Sequence, residues 1–171
     1  MNQAFNPQFA KIGEILVHNG KATESGINEA LAHQKTTNEK IGISLVEMGL
    51  IEEDDFTTAY SQQLGYKKAD NFILLEADSQ VAALIPEDFV RENRVLGISS
   101  NDTTIVVAME DPDDVVSVDS IKRLTNLNPD IIVSGPSLLE SALDKVYGEI
   151  QKTTEVAETI DSITVISGEE G

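Results

Sequence analysis

The sequence predicts an α+β protein, in which a four-helix unit of two repeated helical hairpins precedes a small α/β sheet-and-helix subdomain and a flexible tail. Three observations support this fold class. Residues 11–34 match residues 40–63 at a constant offset of 29 positions, which indicates a duplicated unit. β-rich runs and helical patterns alternate after Tyr66. The last stretch, 149–171, is polar and acidic and has no apolar stripe. The expected domains are 6–66, 67–148 and 149–171.

The first repeat, KIGEILVHNGKATESGINEALAHQ, predicts two short helices. Its opening apolar stripe at helical spacing consists of Ile12, Ile15 and Leu16. Gly20 suits the left-handed position that ends a helix, and Thr23 suits the N-cap of the next one. That second helix carries Ile27, Ala30 and Leu31.

The second repeat, KIGISLVEMGLIEEDDFTTAYSQQ, predicts the same hairpin. Its stripe consists of Ile41, Leu45 and Met48. Gly49 is expected to end this helix, as Gly20 does in the first repeat. Residues 52–55 place carboxylates on the first turn of the fourth helix, where the helix dipole favours negative charge. Gly65 is expected to end that helix.

The following segment predicts a small sheet with helices packed on it. We expect a short extended piece at NFILL (71–75), one or two helical turns over 78–84, and a short helix at PEDFVREN (86–93). The β-rich runs RVLGISS and TIVVAME predict a hairpin, because Asn101–Asp102 between them suits a tight turn.

The rest of this segment completes a β-β-α-β-α order. EDPDD (110–114) is expected to open a helix whose apolar face is formed by Val115, Val118, Ile121 and Leu124. PDIIVSG (129–135) predicts a third strand. Pro136 lies near the start of a last helix, which we expect to end at Gly148.

Composition excludes several function classes. A formal net charge of -18 disfavours binding to nucleic acid or anionic lipid, whose phosphates are repelled, and leaves a basic partner protein as an option. The absence of Cys rules out disulfides and thiolate sites. No apolar run has the length of a membrane span, and the N-terminus lacks an apolar signal segment. We therefore expect no direct membrane insertion and a bacterial cytoplasmic location.

No catalytic constellation is found in the sequence. The phosphate-loop pattern GxxxxGK[ST] is missing, so the chain by itself is not expected to be an enzyme. His18 and His33 lack metal-ligand spacing and are interpreted as surface histidines. The carboxylate groups at 52–55 and 110–114 are explained by helix starts rather than by a cation site, so no metal is expected.

The tandem pattern of a basic residue, Ile-Gly, an apolar pair, Gly and a final Gln resembles the N-terminal domain of type II secretion and type IV pilus assembly ATPases. The stretches IPEDFVRENRVLGIS, TIVVAMEDPDD and LLESALDKVYG extend the resemblance over about Phe9 to Gly148. It implies a regulatory and docking module whose ATP-hydrolysing core lies beyond residue 171. It also implies inner-membrane assembly or secretion proteins as partners, contact with the remainder of the ATPase, a homohexameric full-length protein, and a location peripheral to the inner membrane through those partners.

In one subgroup of these ATPases the tandem motif binds cyclic di-GMP, so the resemblance implies this nucleotide as the one candidate ligand and a cyclic di-GMP-binding module as the alternative function. No other cofactor is expected. Carried over position by position, the ligand-binding residues are Lys11, Ile12, Gly13, Ile27, Leu31, Gln34, Lys40, Ile41, Gly42, Phe56, Tyr60 and Gln63.

This sequence departs from the family motif in two respects. Both arginine positions are lysines, which lack the planar fork that stacks on bases and grips phosphate in two places. The lysines either neutralise ligand phosphates or are ordinary solvated charges. Phe56 and Tyr60 replace leucines and either stack on a base or fill the space of a ligand. Gly13 and Gly42 permit close approach of either a ligand or a neighbouring helix.

Overall fold

A computed structural model describes the backbone of residues 4–169 and the side chains of residues 4–160. The chain divides into two compact units that part between Lys68 and Ala69. Helices and a small mixed sheet make up the described residues, which confirms the predicted α+β class.

The first unit is mainly helical. Its described elements are a 3₁₀ helix at Pro7–Phe9, α1 at Ile12–His18, α2 at Glu24–Thr37, α3 at Ile41–Glu47, α4 at Glu53–Leu64 and a two-residue strand β1 at Lys67–Lys68. Helix α1 packs on α4, and α2 packs on α3. These principal contacts join the two predicted hairpins to each other, and α1 also contacts α2 within the first hairpin.

The two repeats have the same backbone conformation. The N-cap residues Lys11 and Lys40 have φ/ψ of -73/152° and -68/145°. The glycines that follow the first helix of each repeat, Gly20 and Gly49, have φ of 72° and 71°. Both adopt the left-handed conformation that glycine reaches without steric cost, as the sequence predicts. The duplication seen in the sequence is therefore a duplication of structure.

The buried positions of the first unit repeat as well. Leu16 and Leu45 are fully buried at equivalent positions, and so are Ala30 and Ala59. Burial of each leucine side chain contributes roughly 1.5–3 kcal/mol, and the small alanines let neighbouring helices approach. Ser44 is an exception, because it is fully buried where the first repeat has an isoleucine.

The second unit is a small sheet covered by helices. Its described elements are α5 at Asn71–Leu75, α6 at Ser79–Ala82, α7 at Glu87–Asn93, β2 at Val95–Ser100, β3 at Thr104–Met109, α8 at Val115–Thr125, β4 at Asn128–Val133 and α9 at Pro136–Glu169. Strand β3 pairs antiparallel with β2 and parallel with β4, which gives the order β4-β3-β2 within this unit. The predicted β-β-α-β-α order is confirmed.

A buried tyrosine ties α9 to the end of α6. Tyr147 is 4% exposed, and its hydroxyl lies 2.9 Å from the Ala82 carbonyl oxygen and 2.7 Å from the Ile85 carbonyl oxygen. The single phenolic proton is donated to one carbonyl at a time. Burial, reinforced by the charge of Glu87, raises the pKa of Tyr147 to about 12.

Residues 71–75 form helix α5 and not the extended piece that the sequence suggested. The cause is a helix cap: an Asp70 side-chain oxygen accepts a hydrogen bond from the Ile73 backbone N–H at 2.7 Å. A capping carboxylate satisfies one of the free donors at a helix start. This local contact outweighs the β-like composition of the segment.

The predicted apolar face of α8 is buried only in its middle. Ile121 is fully buried and Val118 packs against the core, but Val115 is 67% exposed and Leu124 is 47% exposed. The periodicity identifies one side of the helix, but only its middle covers the sheet.

The predicted end of the last helix at Gly148 is also wrong, because α9 continues to Glu169. Gly148 lacks the positive φ of a helix-ending glycine. Side chains 151–160 are all exposed, although the Gln151 side-chain N–H₂ group donates to the Glu87 carboxylate at 3.2 Å. A linker role for 149–171 stays a prediction, and its last two residues lie outside the described part of the chain. Among residues 4–169, no helix combines the length and the apolar character that crossing a membrane requires.

We expect Tyr147→Phe to lower the free energy of unfolding by roughly 1–2 kcal/mol at pH 7, because the two carbonyl oxygens that share the buried phenolic proton lose it. The folded state favours the neutral phenol, so the contribution of this group is complete below pH 10 and declines as the pH rises towards about 12. Urea denaturation between pH 8 and 11 measures both effects.

Tyr147→Phe should flatten the alkaline decline of stability. Tyr66→Phe is the matched control, since Tyr66 is 38% exposed and its replacement should leave the decline in place. An unchanged alkaline decline in Tyr147→Phe would contradict the assignment.

Candidate ligand and docking site in the first unit

The two motif lysines are the N-caps of equivalent helices, Lys11 of α1 and Lys40 of α3. Both side chains are exposed, and neither forms an ion pair with another described residue. Each ammonium group is therefore hydrated and available to an anion, and nothing in the described residues aims it at one.

In the first repeat, Gly13 contacts Ile27 of α2. A Cβ atom added to Gly13 would lie 2.8 Å from Cγ2 of Ile27, which is closer than real Cβ atoms approach. The missing side chain of Gly13 therefore lets α2 pack closely on α1. Ile12 and Ile27 also pack against the core of this unit.

In the second repeat, the ring of Phe56 lies directly on Gly42. A Cβ atom at Gly42 would fall within 3.0 Å of three ring carbons. The Phe56 ring stacks on that of Tyr60, with centroids 5.7 Å apart and planes 13° apart. The space over Gly42 is therefore filled by an aromatic side chain, and Ile41 packs beside it in the same core.

The two motif glutamines differ in their environment. The Gln63 side-chain N–H₂ group donates to the carbonyl oxygen of Ala10 at 3.1 Å, which places α4 beside the residue that precedes Lys11. The Gln34 side chain makes no hydrogen bond to another described residue. Leu31 is 42% exposed on α2. The structure thus pairs Gly13 with Ile27, and Gly42 with Phe56, whose ring stacks on Tyr60.

An open groove of about 450 Å³ lies in the first repeat, and we name it the Gly13 groove. The apolar part of its lining consists of Gly13, Val17 and Ile27. Its aromatic and polar part consists of Phe5, His18, Glu14, Glu24 and Asn28. The Phe5 and His18 rings are stacked, with centroids 3.9 Å apart and planes 15° apart.

Sequence reasoning missed six of these groove residues, since only Gly13 and Ile27 were predicted site positions. Phe5 precedes the repeat in a segment that carries no periodic signal. His18 was interpreted as a surface residue, and it is indeed exposed, but it supports the Phe5 ring. Glu14 matches the position of a helix-start carboxylate, since its side chain accepts from the Lys11 N–H at 3.2 Å.

The groove is electrostatically negative. Two carboxylates, Glu14 and Glu24, line it, and no described lysine or arginine does. Both side chains are exposed, so the attraction of each for a cation is screened by solvent and is worth at most about 1 kcal/mol. A cationic group is therefore favoured in the Gly13 groove, and a phosphate is disfavoured there.

The main charged cluster of the second unit is structural. Arg94 ends α7 with a φ of 56° and pairs with Glu110 at 2.9 Å and with Glu140. Burial lowers the pKa of Arg94, but the hydrogen bonds to these two carboxylates outweigh burial and raise it overall. Arg94 also donates to the Pro136 carbonyl oxygen at 3.0 Å, so it joins α7 and β3 to the start of α9.

Comparison with models of protein families finds a match in the second unit. Residues 72–152 match the model of the MshEN domain. The twelve predicted ligand positions precede this stretch, so the match does not test them.

A curated relative extends the similarity. The type IV pilus assembly ATPase PilB of Myxococcus xanthus (strain DK1622) is 27% identical over 139 residues, which cover 81% of this chain and 24% of PilB. The chain therefore matches about a quarter of that ATPase. An alignment of 139 residues is longer than the whole second unit, so it reaches into the helical repeats.

Solved structures agree with this similarity. A structure of MshE with cyclic di-GMP has a TM-score of 0.67 and 25% identity, and the match covers 81% of this chain and 99% of that chain. The N-terminal domain of XpsE has a TM-score of 0.59 at 18% identity over 84% and 97% of the two chains, which shows the fold alone. Residues 72–152 thus match the MshEN domain, and most of the chain is similar to the type IV pilus assembly ATPase PilB and to MshE.

Proposed function

We propose that this chain is the N-terminal regulatory and docking region of a type II secretion or type IV pilus assembly ATPase. It would link an ATP-hydrolysing core, carried elsewhere in the protein, to inner-membrane assembly proteins. The observation that carries this proposal is the match to PilB, because 81% of this chain corresponds to only 24% of the ATPase. A module that corresponds to about a quarter of a larger ATPase suits control and attachment rather than chemistry.

The same proposal includes the location and assembly of the full-length protein. It would act in the cytoplasm, peripheral to the inner membrane through its partners, as a homohexamer. The surface of the first unit supports a docking role, because it exposes large apolar side chains: Phe9 is 89% exposed, Ile43 49% and Leu31 42%. Exposed apolar side chains of this size are typical anchors of protein interfaces.

The docking role predicts that this chain binds the cytoplasmic domain of its inner-membrane partner through the first unit. Phe9→Ala should weaken that binding about tenfold, since it removes an exposed aromatic anchor worth roughly 1–2 kcal/mol. Phe72→Ala is the matched control, because Phe72 is 68% exposed but belongs to the second unit. Repeated failure of the unmodified chain to bind the partner domain in biolayer interferometry would count against docking.

A second candidate function is the binding of cyclic di-GMP by the helical repeats. It is favoured by the similarity to the structure of MshE with cyclic di-GMP. The equivalent backbones of the two repeats and the unpaired lysines Lys11 and Lys40 support it. The ring of Phe56 on Gly42 imposes a condition, because a base at the second repeat must stack on the aromatic pair or displace it.

Calorimetric titration with cyclic di-GMP tests this candidate, and Gln34→Ala should lower the affinity at least tenfold. The stability of this variant should not change, since the Gln34 side chain makes no hydrogen bond to another described residue. Gln62→Ala is the control, because Gln62 neighbours a motif position but hydrogen-bonds Asn19 at 2.8 Å. No heat at millimolar nucleotide would eliminate the candidate.

A further inference from the structure

The Gly13 groove differs in chemistry from a nucleotide-phosphate site. Its ionised lining is acidic, through Glu14 and Glu24, and its aromatic lining is the stacked pair Phe5 and His18. One oxygen of Glu14 accepts the Lys11 N–H at 3.2 Å, and its second oxygen and the Glu24 carboxylate have no ion-pair partner among the described residues. Carboxylates beside an exposed aromatic face are the groups that recognise a planar cation.

An arginine side chain matches this set of groups better than a lysine. The guanidinium group is planar, stacks on aromatic rings and presents parallel N–H donors to a carboxylate, whereas the lysine ammonium is a strongly hydrated point charge. Phe5 is 40% exposed, so its ring can be covered by a stacking group. The groove volume of about 450 Å³ falls within the range of ligand pockets and holds one arginine with part of its neighbours.

The charge of the whole chain favours the same occupant. With 30 acidic and 12 basic residues, the chain attracts a basic partner at long range. We propose that the Gly13 groove is the docking site for an arginine-bearing basic segment of a partner protein. The guanidinium stacks on Phe5 and pairs with Glu14 and Glu24. This inference rests on the proposed docking role and names the surface and the partner chemistry.

The second repeat supplies an internal control. Glu53 has the same position at the start of α4 that Glu24 has at the start of α2. In the second repeat, however, the space over the glycine is filled by Phe56. Glu24→Gln and Glu53→Gln therefore remove the same charge from equivalent helix starts, and only Glu24 lies in the groove.

The test is an NMR titration of the full chain at about 0.15 M salt with a blocked peptide of three arginines separated by glycines, and with its lysine counterpart. We expect the arginine peptide to shift the backbone resonances of residues 13–28 and to bind more tightly than the lysine peptide. Glu24→Gln and Phe5→Ala should each weaken binding about threefold to fivefold, the size of a partly exposed ion pair or cation–π contact. Glu53→Gln should change the affinity by less than half that amount.

Several results would overturn the inference: no binding of the arginine peptide, equal losses in Glu24→Gln and Glu53→Gln, or equal affinity for the two peptides. Shifts of the same groove resonances by cyclic di-GMP would assign the groove to the nucleotide instead. Undiminished binding of the inner-membrane partner domain to Phe5→Ala and Glu24→Gln would reject the groove and leave the docking role intact. Failure of the unmodified chain to bind the partner domain would reject the docking role itself.

Discussion

The geometry of the first unit depends on a contact between a glycine backbone and a side chain of the following helix. Gly13 receives Ile27, and Gly42 receives Phe56, at distances that no Cβ atom tolerates. Each hairpin closes because these glycines lack a side chain, and a larger residue would force the helices apart. The same contact decides what a ligand can reach, since Ile27 leaves an open groove beside Gly13, whereas the Phe56 ring fills the space over Gly42.

The two repeats differ at one position with chemical consequences, where the first has Ile27 and the second has Phe56. Where Ile27 contacts Gly13, an open groove with two carboxylates remains, whereas the larger Phe56 fills the equivalent space and stacks on Tyr60. A duplicated backbone therefore carries two unequal surfaces. The first favours a cation through its charge, and the second offers a flat aromatic face. A module with unequal halves can serve two kinds of partner without a change of fold.

The parts of the structure that depend on local chemistry were predictable from the sequence. The duplication, the left-handed glycines at 20 and 49 and the hairpin around Asn101 all follow from neighbouring residues. Errors arose where packing or a single cap decided the outcome. The Asp70 side chain caps the apolar run that follows it, and this run is therefore helical. Gly148 does not have a positive φ, so helix α9 continues through it. The Gly13 groove was not predictable, because Phe5 reaches it from a segment without periodicity.

The most direct test of the account is a measurement of the two glycine contacts in solution. Nuclear Overhauser cross-peaks are expected between the α-protons of Gly42 and the ring protons of Phe56, and between those of Gly13 and the methyl groups of Ile27. Both sets together would establish that the repeats close in the same way. Their absence, with the helices intact, would mean that the hairpins are not held by these contacts, and the assignment of the groove and of the filled site would fail with them.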